Sequence, residues 1–292
     1  MRFVKMQGIG NHFVVVDAAD IPENTDLNAL ALRLCAPHFS IGADGLLVGE
    51  ILGQDEPRVS MRMFNPDGTE DMCGNGLRCI GLWALAQGGV EVGIPFKVKT
   101  KEGIRDVEIL EATADRRSGT LTIDMGAPRF CKPEIPFLDL VEPADLDRCV
   151  VQNDPLTIDG RTFRITSVNT GSTHTVIFGE PLTEEEFQLY SPQIELHPHF
   201  PERTSIMWAT PVGENTVSIR IWERGAGETF GCGTGASAVG VAAKLQGIVA
   251  RSEPVHVASR GGTLTIQWAG GSTPISMTGP AQTIYSGDII LD

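Results

Sequence analysis

Two short segments of the chain alternate between hydrophobic and polar side chains, which is the pattern of a strand with one buried face. In Val59–Phe64 the valine and both methionines fall on one side, while serine, arginine and phenylalanine fall on the other. Val217–Trp222 has a similar arrangement. The stretches 96–125 and 255–268 carry further strand patterns with glycine turns. These segments predict a large content of β-structure.

The pattern changes to helical spacing after each of two Cys-Gly-x-Gly sequences. Hydrophobic residues then recur every three or four positions until glycine ends the run. The first run has Leu77, Ile80, Trp83 and Ala84 before Gly88 and Gly89, and the second has Ala236, Val239 and Ala243 before Gly247. We therefore predict two core helices, each beginning at a cysteine in a glycine-rich turn.

Four pairs of segments match in the same order, separated by 158 to 161 positions, which indicates an internal repeat. The pairs are Gly10–Val16 with Gly171–Ile177, Pro37–Phe39 with Pro198–Phe200, Val59–Phe64 with Val217–Trp222, and Cys73–Gly76 with Cys232–Gly235. Four collinear matches predict two halves built on one plan.

The repeat predicts an α+β fold with two pseudo-symmetric domains, each a mostly antiparallel sheet wrapped around a central helix. We expect an N-terminal half at residues 1–130 and a C-terminal half at 131–275. The remaining residues, 276–292, are considered as a C-terminal segment that returns to the N-terminal half.

Charge narrows the classes of partner. The 292 residues include 37 acidic and 23 basic side chains, for a formal charge of −14. This balance argues against nucleic acid and against docking on an anionic membrane, since both need clustered Lys and Arg. The start of the chain has no apolar run of signal-peptide length, and no stretch reaches the roughly 20 residues of a membrane helix. A cytoplasmic location with reduced thiols is expected.

A thiol at a helix N-terminus lies among unpaired backbone N–H groups at the positive end of the helix dipole. This position predicts that the pKa of Cys73 and of Cys232 falls, and it also offers an anion site for a carboxylate. Two such thiols on opposite faces of one carbon could remove a proton and deliver another, which inverts the configuration. This chemistry requires no metal and no cofactor.

The residues around both cysteines resemble motifs of the diaminopimelate epimerases. Asn65–Cys79 is similar to the first active-site motif of that family, and Glu223–Gly235 is similar to the second. Met6–Phe13, Ser40–Gly45 and Gly171–His174 are also similar. The resemblance implies a two-domain fold with its active site between the domains, and an isomerase that interconverts LL- and meso-diaminopimelate without pyridoxal phosphate.

The resemblance also implies the roles of individual residues. Cys73 and Cys232 would be the acid and the base. The residues that would bind the small amino-acid substrate are Asn11, Asn65, Gly74, Asn75, His174, Ser205, Glu223, Arg224, Gly233 and Thr234. The family often forms dimers, so a homodimer is considered.

Two positions depart from the family pattern. Ser172 and Ser205 stand where asparagines usually help to grip the far end of diaminopimelate, and serine offers fewer hydrogen-bond donors. A racemase or epimerase for another amino acid is therefore an alternative. An isomerase or lyase with one acid–base residue, and a non-catalytic binding or thiol-redox protein, are further alternatives.

The remaining cysteines and a histidine pair have plainer interpretations. Cys35, Cys79, Cys131 and Cys149 are expected to be inert core thiols. His197 and His199 are expected in a surface turn rather than in a metal site, because no third ligand lies nearby.

Overall fold

Alternating strands and apolar helical runs build two separate units of the chain. The computed structural model describes residues 1–53, 55–140 and 149–290. Unit 1 contains Met1–Asp124 together with the chain from Thr278 onward, and unit 2 contains Met125–Met277. The described residues form seventeen strands and four α-helices. None of these helices is long and apolar enough to span a membrane.

Unit 1 contains two helices and nine strands, the last of which begins at the end of unit 2. They are β1 (Arg2–Gly8), β2 (Asn11–Asp17), α1 (Leu27–Cys35), β3 (Gly45–Ile51), β4 (Val59–Phe64), β5 (Glu70–Asp71), α2 (Gly74–Ala86), β6 (Phe96–Thr100), β7 (Gly103–Ala112), β8 (Ser118–Asp124) and β17 (Ser276–Asp288). A short 3-10 turn lies at Ala18–Asp20.

The strands of unit 1 pair in a closed circuit. β1 pairs with β2, β2 with β3, β3 with β4, β4 with β6, β6 with β7, and β7 with β8. β17 then pairs with both β8 and β1 and so completes the circuit. Two of these pairings, β2 with β3 and β4 with β6, are parallel. Each parallel pair is joined by a helix, as parallel strands require a long crossover.

Helix α2 lies inside this circuit and α1 lies outside it. α2 contacts β1, β2, β3, β4, β7 and β8, and nearly all of its residues are buried. α1 begins after Asp26, whose side chain caps the N–H groups of Asn28 and Ala29. It buries Leu30 and Leu34 against the other face of the sheet, in a core that includes Val14. The buried inner helix carries the first Cys-Gly-x-Gly sequence.

Unit 2 repeats the plan. Its elements are β9 (Gln152–Ile158), β10 (Arg161–Asn169), β11 (Thr173–Phe178), α3 (Glu184–Glu195), β12 (Ser205–Pro211), β13 (Thr216–Glu223), β14 (Gly227–Thr229), α4 (Gly233–Leu245), β15 (Val255–Ser259) and β16 (Gly262–Gln267). A 3-10 turn lies at Lys132–Glu134.

In the central part of unit 2, the strands pair in the same order and the same directions as the corresponding strands of unit 1. β11 pairs in parallel with β12 across α3, and β13 pairs in parallel with β15 across α4. The pairings of β9 with β10, β10 with β11, β12 with β13 and β15 with β16 are antiparallel. α4 contacts β10, β11, β12, β15 and β16, while Phe187 and Ile194 of α3 pack in the outer core. The prediction of mostly antiparallel sheets around central helices is confirmed.

The expectation for two of the cysteines was wrong. Cys131 and Cys149 form a disulfide, and Cys149 is exposed rather than buried. The backbone brings them together, because Cys131 bridges to Val150 and Lys132 N donates to Cys149 O. Residues 141–148 of the intervening loop lie outside the described part of the chain. Cys35 and Cys79 are buried free thiols, as predicted.

His197 and His199 lie in the segment between α3 and β12. Their rings stack with centroids 4.8 Å apart, and His199 stacks on Phe137. His199 Nδ1 lies 2.5 Å from Leu138 O. These contacts place the histidine pair in the packing of the loop around Phe137.

Candidate active site

Each of the two Cys-Gly-x-Gly cysteines is the residue that precedes a central helix. Cys73 caps α2 and Cys232 caps α4, and both have extended backbone angles, with φ of −134° and −136°. The N–H groups of the following residues belong to a first helical turn, where no intrahelical acceptor exists. The prediction that both cysteines stand at helix N-termini is confirmed.

In unit 1, Cys73 shares an acceptor with Asn75. Cys73 Sγ donates to Asn11 Oδ1 at 3.8 Å, and Asn75 Nδ2 donates to the same oxygen at 3.5 Å. Asn11 is the first residue of β2, and Asn75 is in the first turn of α2 with only 2 % of its surface exposed. The structure therefore brings together three of the predicted site residues.

Asn65 and Gly74 flank this group along the chain. Asn65 follows β4 in a turn, where its Nδ2 donates to Thr69 Oγ1 at 3.1 Å. Gly74 is the first residue of α2 and is buried. Both residues lie on the segment that leads from the sheet into the helix, on either side of β5.

In unit 2, Cys232 is 7 % exposed and has several polar neighbours. Its Sγ lies 3.3 Å from Thr234 Oγ1 and accepts from Gly235 N–H at 3.4 Å. Burial raises the pKa of the Cys232 thiol well above its ordinary value, and the Glu223 carboxylate raises it further. The hydrogen bonds from Thr234 and Gly235 act in the opposite direction. The prediction of a lowered pKa was therefore wrong for Cys232, because burial outweighs the helix terminus.

His174 is a fully buried, neutral imidazole on β11. Burial, followed by the positive charge of Arg224, lowers the pKa of His174 to about 3. Its Nε2 lies 3.0 Å from Ser172 Oγ, and no described group hydrogen-bonds to its buried Nδ1. His174 can therefore serve as a neutral hydrogen-bonding group but not as an acid near neutral pH.

The remaining predicted residues of unit 2 gather at the ends of β12 and β13. Ser205 pairs with His174 across β11 and β12, and its Oγ accepts from Arg224 N–H at 3.2 Å. Glu223 ends β13, and its Oε1 accepts from Thr229 Oγ1 at 2.5 Å. Arg224 is exposed and donates to Glu202 O.

Gly233 and Thr234 begin α4 directly after Cys232. Two contacts hold Thr234. Its Oγ1 lies 3.3 Å from Cys232 Sγ, and its carbonyl oxygen accepts from Thr170 Oγ1 at 2.8 Å. The predicted residues thus fall into two groups, one around Cys73 in unit 1 and one around Cys232 in unit 2.

The second glycine of each Cys-Gly-x-Gly sequence has a packing role. A Cβ atom on Gly76 would lie 3.0 Å from Leu47, and one on Gly235 would lie 2.6 Å from Met207. These glycines let the central helix approach the sheet.

Two polar residues near these groups, Asp44 and Arg78, were not predicted from the sequence. Asp44 accepts a hydrogen bond from Asn11, and Arg78 donates one to Asn75. Asp44 and Arg78 lie inside the quoted motifs, but only their contacts separate them from ordinary surface and core positions. Among the described residues no group of three or more His, Cys, Asp or Glu is arranged to hold a metal ion.

Comparison with known proteins places the chain among related sequences over its full length. A profile described as diaminopimelate epimerase matches residues 3–131 and 166–284. A diaminopimelate epimerase from Moorella thermoacetica is 40% identical over 294 residues, which cover 100% of both chains. One from Desulforudis audaxviator is 40% identical over 288 residues, which cover 98% of each chain.

The fold is also found in solved structures of low sequence identity. A hydroxyproline epimerase from Agrobacterium vitis, crystallised with trans-4-hydroxy-L-proline, superimposes with a TM-score of 0.66 at 16% identity. The match covers 99% of this chain and 90% of that one. At this identity the likeness supports the fold alone.

Proposed function

We propose that this chain, which belongs to the diaminopimelate epimerase family, is an isomerase that interconverts LL- and meso-diaminopimelate. The observation that carries the proposal is the duplicated Cys-Gly-x-Gly sequence at the start of two central helices, in a chain 40% identical to a curated diaminopimelate epimerase over its whole length. Two acid–base groups on opposite faces of one carbon can invert its configuration, and the repeat supplies one cysteine in each half.

In the proposed mechanism Cys73 and Cys232 act on the same α-carbon. The thiolate of one cysteine takes the α-proton, so that an S–H bond forms and the C–H electron pair passes into the substrate carboxylate. The thiol of the other cysteine gives its proton to the opposite face, and its sulfur becomes the thiolate. The two sulfurs exchange protonation states in each turnover, so the same site serves the reverse reaction.

The helix N-termini would stabilise the charge that develops during proton removal. The N–H groups of Gly74 and Asn75, and those of Gly233 and Thr234, would hold the reacting carboxylate as its negative charge increases. These donors are fixed by the backbone of buried helices, so little reorganisation accompanies the reaction.

The polar residues around the cysteines would orient the substrate. Glu223 and Arg224 would engage its amino and carboxylate groups, and Asn11 and Asn65 would add hydrogen bonds. His174 would contribute hydrogen bonding as a neutral imidazole, which agrees with its burial and its low pKa.

An alternative substrate is favoured by two serine contacts. Ser172 Oγ is engaged with His174, and Ser205 Oγ is engaged with Arg224 N–H. Hydroxyls that are already paired with protein groups offer less to the far end of a diamino diacid. A different amino acid, epimerised or racemised by the same two cysteines, is therefore the second candidate.

A substrate panel distinguishes the two candidates. The purified protein is incubated with LL-diaminopimelate, lysine, ornithine, histidine, glutamate and hydroxyproline, and the products are separated by chiral chromatography. The proposal predicts meso-diaminopimelate as the main product. Inversion of another member of the panel at higher kcat/KM would establish the alternative, and no inversion at all would contradict both.

The cytoplasmic location and the homodimer considered from the sequence stay predictions. Fractionation of the source cells tests the first, and light scattering coupled to size-exclusion chromatography tests the second.

A further inference from the structure

A chain of hydrogen bonds in unit 1 connects two charged side chains through two asparagine amides. Asn11 Nδ2 donates to Asp44 Oδ2 at 2.7 Å, and Arg78 Nη2 donates to Asn75 Oδ1 at 2.8 Å. Between them, Asn75 Nδ2 donates to Asn11 Oδ1 at 3.5 Å. The order is therefore Asp44, Asn11, Asn75 and Arg78.

Cys73 joins this chain at its centre. Its Sγ donates to Asn11 Oδ1 at 3.8 Å, so this one oxygen accepts from both the thiol and Asn75. The orientation of the Asn11 amide consequently decides whether Cys73 faces a hydrogen-bond acceptor or a donor.

The two charged ends allow only one direction for the amides between them. An ionised carboxylate can only accept hydrogen bonds, and a guanidinium can only donate them. If the Asn11 amide turned over, its NH2 group would face Cys73 and the NH2 group of Asn75, and its oxygen would face Asp44. Asp44 is itself fixed, because its Oδ2 also accepts from His12 N–H at 2.9 Å.

Burial of the Arg78 charge costs free energy, and helix packing alone does not require it. It is 0 % exposed, its Nε donates to Pro280 O at 3.2 Å, and Gly8 leaves the space beside its Nη2. Burying a charge requires compensating partners. The matching position on α4 is Ser237, which donates to Gly233 O at 2.9 Å. The repeated helix plan therefore does not itself require an arginine at this place.

We propose that Asp44 and Arg78 are positioning residues that hold the Asn11 and Asn75 amides in one direction and thereby present Asn11 Oδ1 to the Cys73 thiol. The assignment of Cys73 as an acid–base group rests on the proposed function, whereas the chain of contacts does not. Neither residue needs to touch the substrate.

Other titratable groups lie near Asp44 and Arg78, the two ends of the chain of hydrogen bonds. Lys5 Nζ lies 3.0 Å from His12 Nδ1, and His12 Nε2 lies 3.9 Å from Asp44. Burial lowers the pKa of Lys5, which the Asp44 and Cys35 charges oppose. At the other end, burial lowers the pKa of Arg78 to about 10 and raises that of Cys79 to about 12.

The first experiment uses Asp44→Asn, an isosteric change at a half-exposed residue. Without the carboxylate, the Asn11 amide can turn and donate to the sulfur, which favours the thiolate of Cys73. In a Cys232→Ala background, iodoacetamide should therefore alkylate Cys73 faster at pH 7. With both cysteines present, kcat/KM should fall about tenfold or more. Asp17→Asn, on the same strand as Asn11, is the matched control and should change neither quantity.

The second experiment uses Arg78→Lys and Arg78→Met. Arg78→Met removes the positive charge and should slow alkylation of Cys73. Arg78→Lys keeps the charge, so alkylation should stay near the wild-type rate while kcat/KM falls through loss of the fixed donor to Asn75. Arg116→Met removes an arginine that donates to Leu85 O near the other end of α2 and serves as the control.

A double-mutant cycle tests whether the contacts act as one chain. The combined loss in kcat/KM of Asp44→Asn with Arg78→Lys should be smaller than the product of the single losses, since either change disrupts the same hydrogen bond between Asn75 and Asn11. Folded variants, as judged by circular dichroism, with wild-type alkylation and kcat/KM would overturn the proposal, as would strictly multiplicative losses. Should Arg78→Met fail to fold, Asp44→Asn and Arg78→Lys still decide. Altered alkylation in a protein that inverts no substrate would refute the proposed function and leave this inference standing.

Discussion

At the scale of single residues, two effects change the pKa of the Cys232 thiol in opposite directions. The helix terminus favours the thiolate by about 0.3–2 kcal/mol. Full burial of an ionisable group can shift its pKa by about 3–5 units, at about 1.36 kcal/mol per unit. Burial is therefore the larger effect, and Glu223 adds to it. The raised pKa consequently favours the thiol form of Cys232.

His174 gives a prediction for stability against pH. Its pKa is about 3 in the folded protein and 6.5 for an ordinary histidine. Below pH 6.5 the unfolded chain binds a proton at this residue that the folded protein does not bind, so folding stability falls as the pH falls toward 3. Between pH 7.5 and 5, wild type should lose about 2 kcal/mol more of its free energy of unfolding than His174→Asn loses.

Urea denaturation at both pH values measures this difference. His38→Asn is the matched control, because His38 is exposed in a turn. The His38→Asn protein should lose as much stability as wild type over this pH range. Equal losses in wild type and His174→Asn would show that His174 is protonated in the folded protein at pH 5.

At the scale of secondary-structure elements, the central helices owe their position to matched glycines. Gly76 and Gly81 of α2 correspond to Gly235 and Gly240 of α4, at the 159-residue offset of the repeat. A Cβ atom on Gly81 would lie 2.7 Å from Leu121, and one on Gly240 would lie 2.5 Å from Ile266. Small residues on one helix face thus let the sheet close around the helix.

Gly240→Ala should destabilise the protein, although alanine is normally the better helix former by about 1 kcal/mol. The added methyl would collide with the Cγ2 and Cβ atoms of Ile266. Overpacking of this kind costs about 1–3 kcal/mol. Thermal or urea unfolding should show this loss. Gly179→Ala is the control, because a Cβ atom there meets open space. Its free energy of unfolding should stay within about 0.5 kcal/mol of that of wild type. A Gly240→Ala protein more stable than wild type would contradict the packing described.

Several elements could be predicted from the sequence because their signals are local. The alternation in Val59–Phe64 corresponds to β4, and the spacing after Cys73 and Cys232 corresponds to α2 and α4. The internal repeat also indicated that both halves share one plan. Periodicity does not state which strands are neighbours, so the parallel pairings across each helix were not predicted.

Contacts between distant residues account for the errors and omissions. The Cys131–Cys149 disulfide depends on a backbone bridge that no local pattern indicates. Asp44 and Arg78 differ from other polar residues because they hydrogen-bond to Asn11 and Asn75. These contacts form only in the folded chain. The wrong expectation for the Cys232 pKa has the same origin, since burial is a property of the tertiary structure.

At the scale of the whole molecule, unit 1 is completed by the end of the chain. β17 pairs with β1 and β8, so both edges of the first eight strands are covered only when the chain from Thr278 onward is present. Exposed strand edges invite pairing with other molecules.

A truncation tests this dependence. A protein that ends at Met277 should lose the folded state of unit 1 and aggregate, because β1 and β8 would lack their partner. A protein that ends at Ile290 keeps β17 and is the control. Solubility and the thermal transition are the measurements, and a soluble protein ending at Met277 with the wild-type transition would refute the role assigned to β17.

The proposed two-cysteine mechanism is tested most directly by incubating the protein with LL-diaminopimelate in deuterated buffer and analysing the meso product by mass spectrometry. The mechanism predicts one deuterium at the inverted α-carbon. It also predicts that Cys73→Ala and Cys232→Ala each lower kcat by about 10²-fold or more. Inversion with retention of the original proton, or a fully active Cys73→Ala protein, would contradict it.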